Sequence, residues 1–565
     1  METDPQSGDS HDAERAPADQ PPADQLVNPQ RRRGRWRWLV PLVVVCVWAA
    51  AVAVLAAPSS DPEAGSAGLV ITLATLLIAL FLLFWLVFLS GLRWRTRLLV
   101  LVALAVAWWG AAQVIEYRGL TGDAVPIFAW REARELPQFD DAGAAAGAID
   151  LTTTTPHDYP QYLGPQRRGT ISDVQLAADW SARPPRLLWR QPIGLGWSSL
   201  AVVGPYAVTQ EQRGDREYVV CYRVDDGSVA WATAHDDPFG GSLGGPGPRA
   251  TPTIERGRVY ALGARGQLSC LEGATGQIVW STNVLADNGA PPDDNGQSWS
   301  PLVIDGLVVV PAGGTEGRSL VAYDCATGQI VWQAGDDATS YSSPLVATLA
   351  GQRQIVIFNK NSIAGHAVDD GRQLFSHAWP TNAINHNMNQ PVVIEPDRLL
   401  LATEHDRCTA LLAVEAGEDR EGGDGSKGEG EGDEGGRLSV RELWQNRNLK
   451  SSFSNVVVHE GFIYGLDGAI LTCLDVATGE RRWKQGRYGH GQVLLVGDVL
   501  LIQAEGGDLV QVEARPDAHR ERGRVAALDS KTWNSPALTW PYLLVRNDRE
   551  LACYRLDEAE PQHAQ

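Results

Sequence analysis

Polar and apolar positions divide the chain in two near residue 116. Residues 1–30 hold almost no large apolar side chains and are rich in Asp, Pro and Gln. Such a stretch buries too little surface to fold, which predicts a disordered tail. Three uncharged apolar runs follow, at 39–57, 68–91 and 98–115. Each is long enough to cross the ~30 Å hydrocarbon layer of a bilayer as a helix. Residues 31–116 are therefore read as a membrane anchor of three transmembrane helices. The stretch 117–155, of low complexity at Ala142–Ala148 and Thr152–Thr155, reads as a linker. Beyond it the apolar residues fall in short alternating runs, such as Thr253–Leu262 and Leu302–Val310. That alternation is the period of half-buried β-strands.

The charges flanking the apolar runs set an orientation. Arg31, Arg32, Arg33, Arg35 and Arg37 precede the first run, and Arg93, Arg95 and Arg97 lie between the second and third. The loop between the first and second carries Asp61 and Glu63 but no Lys or Arg. The positive-inside rule then places the N-terminus in the cytoplasm and everything after Glu116 outside. A cleaved signal peptide is the competing reading of the first run. Its apolar core is long for that role, and two more runs follow.

The strand-rich part repeats itself. The clearest copies are Cys221-Tyr-Arg-Val-Asp-Asp-Gly-Ser-Val-Ala-Trp231, Cys270-Leu-Glu-Gly-Ala-Thr-Gly-Gln-Ile-Val-Trp280, Ala322-Tyr-Asp-Cys-Ala-Thr-Gly-Gln-Ile-Val-Trp332 and Cys473-Leu-Asp-Val-Ala-Thr-Gly-Glu-Arg-Arg-Trp483. A degenerate copy runs from Gly365 to Phe375. A period of about 40–50 residues signals a propeller, solenoid or array. Each copy is a hairpin: apolar alternation, a Gly-containing turn, then a strand ending in Trp. With the strand pair upstream, each unit supplies four strands, the content of one propeller blade. Eight units predict an all-β, eight-bladed propeller over residues 156–558, with a short tail at 559–565. The final unit is short of strands, and Pro185–Arg190 matches only the Trp-bearing outer strand. That segment is expected to complete the last blade and close the ring, removing exposed edges. Trp189, Trp231, Trp280, Trp332 and Trp483, with Gly227, Gly276, Gly328 and Gly479, are read as the structural residues of the repeat.

The repeat resembles the pyrroloquinoline-quinone-like (PQQ-like) propeller motif, Ala-x-Asp-x-x-Thr-Gly-x-x-x-Trp. Tyr159-Pro-Gln-Tyr-Leu-Gly-Pro-Gln-Arg-Arg-Gly169 also looks like the opening motif of bacterial PQQ-like proteins similar to the outer-membrane assembly factor BamB. The resemblance implies a scaffold that binds proteins of the cell envelope. It also makes a quinone-dependent dehydrogenase testable, because such enzymes carry adjacent cysteines, acidic and amide ligands for Ca²⁺, and an Asp base. Here Cys46, Cys221, Cys270, Cys325, Cys408, Cys473 and Cys553 include no adjacent pair. Cys221, Cys270, Cys473 and Cys553 share one repeat position, so they are spread round the ring beyond disulfide reach. They read as small buried hydrophobes. No catalytic residue and no cofactor site is expected.

The remaining chemistry is weak. His366, His377, His386 and His405 cluster in sequence without a metal-ligand spacing, and no metal site is expected. The acidic insert 415–437 lacks the ordered Asp-x-Asp-x-Asp-Gly pattern of a Ca²⁺ loop and reads as disordered and solvated. A net charge of −20 argues against nucleic acid as a partner. Asp225, Asp226, Asp324 and Asp475 sit at turns and read as caps.

The residues that open each blade are the candidate binding set. Trp197, Ser198, Arg249, Trp299, Ser300, Tyr341, Ser342, Asn389, Phe453, Trp533 and Asn534 would surround the mouth of a central channel as a polar-aromatic funnel. The same residues also suit a repeat framework, small at the crowded axis and with Pro to start a strand. Two functions follow. The first is a membrane-anchored scaffold outside a bacterial inner membrane, in the periplasm, binding envelope proteins. The second is a small-molecule receptor or quinoprotein-like enzyme using the channel.

Overall fold

The computed structural model describes residues 29–55, 67–123, 125–131, 136–139, 149–177, 179–180, 182–235, 237–240, 244–381, 386–404, 407–417 and 438–557. Most of the N-terminal tail, Ala142–Ala148, His405, most of the acidic insert and the C-terminal tail lie outside them. The N-terminal helices and the part from Gly110 onward are separate compact units.

The helical unit contains α1 (Pro29–Leu55), α2 (Ala67–Phe84) and α3 (Trp94–Val114). A π-helical turn, Trp85–Leu89, continues α2, and its Trp85 packs edge-on against Trp38 at 4.6 Å. Three equivalent spans were expected. Among the described residues, two helices have the length and apolarity to cross a membrane, Ile71–Leu89 and Trp94–Val114. In α1 the arginine cluster is part of the helix, and the apolar stretch among its described residues is Trp38–Val52.

The linker expected at 117–155 is partly a β-hairpin. β1 (Ile115–Leu120) pairs antiparallel with β2 (Pro126–Trp130), placing Ile115 opposite Trp130 and Tyr117 opposite Phe128. Alternation puts these four on one face, and all are exposed. Glu116 and Arg118 lie on the other.

The rest is an eight-bladed propeller. Before it come the short β3 (Thr170–Ile171) and β4 (Arg186–Pro192). Blade 1 is β5 (Ala201–Val203), β6 (Tyr206–Arg213), β7 (Arg216–Arg223) and β8 (Val229–His235). Blade 2 is β9 (Thr253–Glu255), β10 (Arg258–Leu262), β11 (Gln267–Glu272) and β12 (Ile278–Asn283). Blade 3 is β13 (Leu302–Ile304), β14 (Leu307–Pro311), β15 (Leu320–Asp324) and β16 (Ile330–Ala334). Blade 4 is β17 (Leu345–Leu349), β18 (Gln352–Phe358), β19 (Ser362–Ala367) and β20 (Gln373–Ala378). Blade 5 is β21 (Val392–Ile394), β22 (Arg398–Ala402), β23 (Thr409–Ala416) and β24 (Leu438–Asn446). Blade 6 is β25 (Val457–His459), β26 (Phe462–Asp467), β27 (Ile470–Asp475) and β28 (Arg481–Arg487). Blade 7 is β29 (Gln492–Val496), β30 (Val499–Gln503), β31 (Asp508–Glu513) and β32 (Glu521–Ala526), with β3 added parallel to β29. Blade 8 is β33 (Ala537–Thr539), β34 (Tyr542–Arg546) and β35 (Glu550–Arg555), and β4 supplies its outer strand. The N-terminal strand thus closes the ring.

The repeat motif makes the seams between blades. Trp189, Trp231, Trp280, Trp332, Trp444 and Trp483 each donate an indole N–H to a carbonyl of the next blade: Val224, Gly273, Cys325, Val368, Val476 and Arg515. For all but Trp483, the turn glycine of that next blade lies under the ring: Gly227, Gly276, Gly328, Gly371 and Gly479. Gly328 has φ +70°, and a Cβ there would stand 2.6 Å from Trp280. Glycine is needed for the backbone and for the approach of the indole. The turn Asp caps the same loop: Asp324 Oδ1 accepts the Ala326 and Thr327 backbone N–H groups and the Thr327 hydroxyl.

Two seams lack the tryptophan. In blade 4 the same register position is Phe375, opposite Gly365. In blade 7 it is Gly523, opposite Gln511. There Trp180, which precedes β4 in the chain, packs on Gly523 and fills the cluster shared with Leu538, Leu543 and Tyr554 of blade 8.

Candidate functional site

The axis of the ring is closed from one end by the chain itself. Tyr159 exchanges backbone bonds with Val202 of blade 1, and Pro160 accepts the Ile254 N–H of blade 2. Arg167 donates to the Ser300 and Pro301 carbonyls leading into blade 3 (2.9 Å each). Gln390, leading into blade 5, donates to the Arg167 carbonyl at 2.5 Å. Leu495 of blade 7 donates to Gly169. The motif at 159–169 is therefore an axial plug, lying at the end where first and second strands turn. Burial pushes the Arg167 guanidinium down to about 10, so it stays cationic at neutral pH. Leu163 and Arg167 are held left-handed (φ 60° and 54°), a conformation that costs about 1 kcal/mol or more per residue.

Next to the plug runs a belt of hydroxyl and amide groups joining the innermost strands. Ser199 N–H reaches Thr251 Oγ1, Thr251 N–H reaches Ser300 Oγ, and Ser300 N–H reaches Ser343 Oγ, stepping from blade 1 to blade 4. Asn534 donates to the Ser198 carbonyl, closing blade 8 onto blade 1. Asn389 bridges to Ser451 O, and Gln492 spans Phe453 O and Trp533 O. Ser198, Ser300, Ser342, Asn389 and Asn534, expected at a channel mouth, are buried. Trp299 is fully buried, its indole on Gln297 Oε1 at 3.0 Å. These six present no surface, and Ser198, Ser300, Asn389 and Asn534 among them supply side-chain partners to backbone groups where the strands converge on the axis.

The other five expected residues, Trp197, Arg249, Tyr341, Phe453 and Trp533, keep partial exposure and fall in two groups at the opposite end from the plug. Arg249, Tyr341, Asp293 and His386 form one. Tyr341 donates to Asp293 and stacks 4.5 Å from the His386 ring. Burial pushes Arg249 down to about 10, against the charge of Glu217 nearby. Burial raises Glu217 to about 7.

The second group is denser. Trp533 lies 4.9 Å from Trp197 and 5.1 Å from Phe453, and Phe453 stacks on His490 at 5.6 Å. Lys531 Nζ stands 4.0 Å over Trp533 and 4.8 Å over Trp197, within cation–π range. Glu505, in the turn between β30 and β31, accepts Trp533 Nε1 (2.9 Å) and the His490 backbone N–H (3.1 Å). Lys531, Glu505 and His490 are nearly buried.

The tip of the β1–β2 hairpin sits on this group. Gly122 N–H donates to Glu505 Oε1 at 2.6 Å, and Lys531 Nζ donates to Leu120 O at 3.1 Å. Asp123 meets His490 Nε2 at 3.3 Å and Arg487 at 3.2 Å. A Cβ on Gly122 would stand 2.3 Å from the His490 ring. Farther along, Glu116 pairs with Arg549 at 3.5 Å. Burial raises the Asp123 carboxyl, but His490 and Arg487 outweigh it, so its pKa falls below the ordinary value. Burial lowers His490, but the Asp123 bond and the Glu505 and Asp123 charges outweigh it, so His490 is raised. Burial lowers Lys531. Sequence reasoning missed Gly122, Asp123, Arg487, His490, Glu505 and Lys531. Each occurs once, outside the repeat pattern, and charges in loops carry no spacing signal.

The adjacent cysteine pair that quinone-dependent dehydrogenases carry has no counterpart here. The buried cysteines Cys221, Cys270, Cys473 and Cys553 are free and lie in separate blades, and Cys408 lies in a fifth. Among the described residues no group of three or more His, Cys, Asp and Glu side chains is placed to hold a metal ion. His366 is buried with Nδ1 2.8 Å from Gly371 O, and His377 lies on β20 away from it.

Residues 215–485 match the family model described as outer membrane protein assembly factor BamB. A stretch of 170 residues is 28% identical to the outer membrane protein assembly factor BamB of Yersinia pestis, covering 30% of this chain and 39% of that protein. Similar solved structures include BamB from Moraxella catarrhalis (12% identity, 66% of this chain and 99% of that one, TM-score 0.46). Another is quinohemoprotein alcohol dehydrogenase from Comamonas testosteroni (13% identity, 73% and 82%, TM-score 0.48).

Proposed function

We infer that this PQQ-like β-propeller repeat protein, similar to the outer membrane protein assembly factor BamB, is a membrane-anchored scaffold that binds protein partners on the periplasmic side of a bacterial inner membrane. One observation carries the reading. The axis is filled by residues 159–169 at one end, and at the other a polar-aromatic face holds a polypeptide turn. Such a face suits a peptide better than a small molecule at the axis. The anchor has independent support. Two apolar helices precede the propeller, and the hairpin that follows them exposes Tyr117, Phe128 and Trp130 on one face. Aromatic residues of that kind are enriched at membrane–water interfaces. The arginine distribution favours a cytoplasmic N-terminus. Envelope or outer-membrane protein assembly is the process this reading points to.

Photo-cross-linking in cells tests it, with probes at Trp197, Tyr341 and the blade loops of full-length protein. Cross-links to outer-membrane barrel or secretion proteins are expected. Their absence, with no envelope protein captured, overturns the scaffold. The second reading, a polar-ligand receptor, draws on Arg249, Asp293, Tyr341 and His386, whose Nδ1 is buried without a partner. A ligand-dependent rise in melting temperature that Tyr341→Ala abolishes would favour it.

A further inference from the structure

We propose that the face formed by Trp197, Phe453, His490, Glu505, Lys531 and Trp533 is a receptor for an acidic, glycine-containing β-turn of a partner protein, and that the β1–β2 tip is its resident, displaceable occupant. The partner half of the proposal rests on the scaffold reading; the occupancy of the face by the tip does not.

Each contact made by the tip answers one feature of a turn. Glu505 takes the backbone N–H of the apex residue, Gly122, at 2.6 Å. Lys531 takes the carbonyl two residues before the apex, at 3.1 Å from Leu120 O. His490 and Arg487 take the acidic side chain that follows it, Asp123. Only glycine fits at the apex, because any Cβ meets the His490 ring at 2.3 Å. The flat rings of Trp533, Trp197 and Phe453 surround the charged groups and keep water from them. This is recognition by backbone groups plus one carboxylate, so any Xaa-Xaa-Gly-Asp or Xaa-Xaa-Gly-Glu turn carries the same complement of donors and acceptors.

The face is built to hold charge, which a purely structural seam has no need to do. The belt joining the innermost strands uses neutral hydroxyl and amide groups, and the buried cation of the plug, Arg167, meets neutral carbonyls rather than a carboxylate. Here a buried carboxylate and a nearly buried ammonium, Glu505 and Lys531, have the tip as partner. His490 Nδ1 is buried and unpartnered, leaving one further site for an acceptor on a better-fitting turn. The tip itself is held by few contacts. The outward face of its hairpin, Ile115, Tyr117, Phe128 and Trp130, is exposed, so little apolar burial fixes it in place. A tethered ligand of this sort acts at an effective concentration of about 1 mM, enough to exclude weak competitors and yield to strong ones.

The test uses the full-length protein in detergent and a fluorescent, backbone-cyclised peptide of residues 115–130. In the unaltered protein the tip occupies the face and the peptide binds weakly. Gly122→Val in the protein drives its own tip off His490, and peptide affinity rises by about tenfold or more as the tethered competitor is removed. Adding Glu505→Gln to that variant abolishes the gain. Asp123→Lys, which repels His490 and Arg487 without a steric clash, gives a gain of the same sign and covers the case in which Gly122→Val does not fold. Equal affinity in unaltered protein, Gly122→Val and Asp123→Lys overturns the proposal. So does an affinity indifferent to Glu505→Gln. The two readings fail separately. Peptide binding without envelope partners in cells sinks the scaffold, and the partner half with it, and leaves the tip as the displaceable occupant of the face. Envelope partners captured equally by the unaltered protein, Gly122→Val and Glu505→Gln sink the turn receptor and leave the scaffold.

Discussion

At the rim of the ring, Trp189, Trp231, Trp280, Trp332, Trp444 and Trp483 reach the next blade with the same indole-to-carbonyl bond. At the axial face opposite the plug the contributions are uneven: Trp197 and Trp533 open blades 1 and 8, but blade 7 brings Glu505, the connection into blade 8 brings Lys531, and the connections into blades 2 and 3 bring Arg249 and Asp293. Repetition at the rim serves a demand that recurs at every seam, namely joining one flat sheet to the next. The axial face is free of that demand, and its side chains differ accordingly. The blade 7 seam shows the rule under stress. Gly523 occupies the tryptophan position, and the chain brings Trp180 from elsewhere to fill the same space. The seam's volume is fixed, while the origin of the indole is free.

Four measurements test this contrast, from the largest effect to the smallest. Trp231→Ala and Trp180→Ala should each cost about 3–5 kcal/mol in chemical denaturation, the range for emptying a buried tryptophan site. A near-neutral Trp180→Ala would remove the equivalence of the two indoles. Gly328→Ala should cost about 2 kcal/mol, from the positive φ and the contact with Trp280. A loss much smaller than that, measured the same way, would mean that the Trp280 ring moves easily. Asp324→Ala should cost about 1 kcal/mol, as for the loss of a capping side chain. It should leave peptide binding at the axial face unchanged, because the turn is remote from that face.

The smallest effect belongs to the axial face and depends on pH. His490 is raised by the docked tip, so its contribution is complete below the ordinary histidine value and is lost as pH rises through the raised pKa. Asp123 is lowered, so its contribution is present above the ordinary carboxylate value and is lost as pH falls through the depressed pKa. Docking should therefore be firmest between about pH 4 and 6.5 and loosen above that. The charged groups facing His490 are Asp123 from the hairpin, with Glu505 and Glu404 from the propeller. Hydrogen exchange at the Gly122 amide should quicken by a few-fold more than intrinsic exchange from pH 6 to pH 8. A pH-independent protection factor would detach His490 from the docking of the tip.

Much of the fold is legible because its physics is local and recurs. The Asp-x-x-Thr-Gly turn needs a capping carboxylate and a left-handed glycine within a few residues, and the following Trp lies a fixed strand length away. The final blade is legible for a related reason: a lone Trp-bearing strand at Pro185–Arg190 and a unit short of strands complement each other. The seam at Gly523 is not legible, since Trp180 lies far from it in sequence. Nor was the division of the blade-opening residues. Trp197 and Trp299 precede their blades in the same Trp-Ser pattern, yet Trp299 is fully buried and Trp197 faces the axial site. What separates them is the crowding contributed by neighbouring blades.

The sequence by itself determined the repeat, the number of blades, the closing strand and the apolar segments before the ring, because each follows from the period and polarity of short stretches. Only the tertiary structure decided that residues 159–169 fill the axis, that a stretch with the look of a linker folds back as a hairpin, and that Glu505, His490 and Lys531 meet its tip. Those contacts join residues more than 360 positions apart. Their partners are chosen by closure of the ring, which brings loops of different blades to one axis and leaves no periodic trace along the chain.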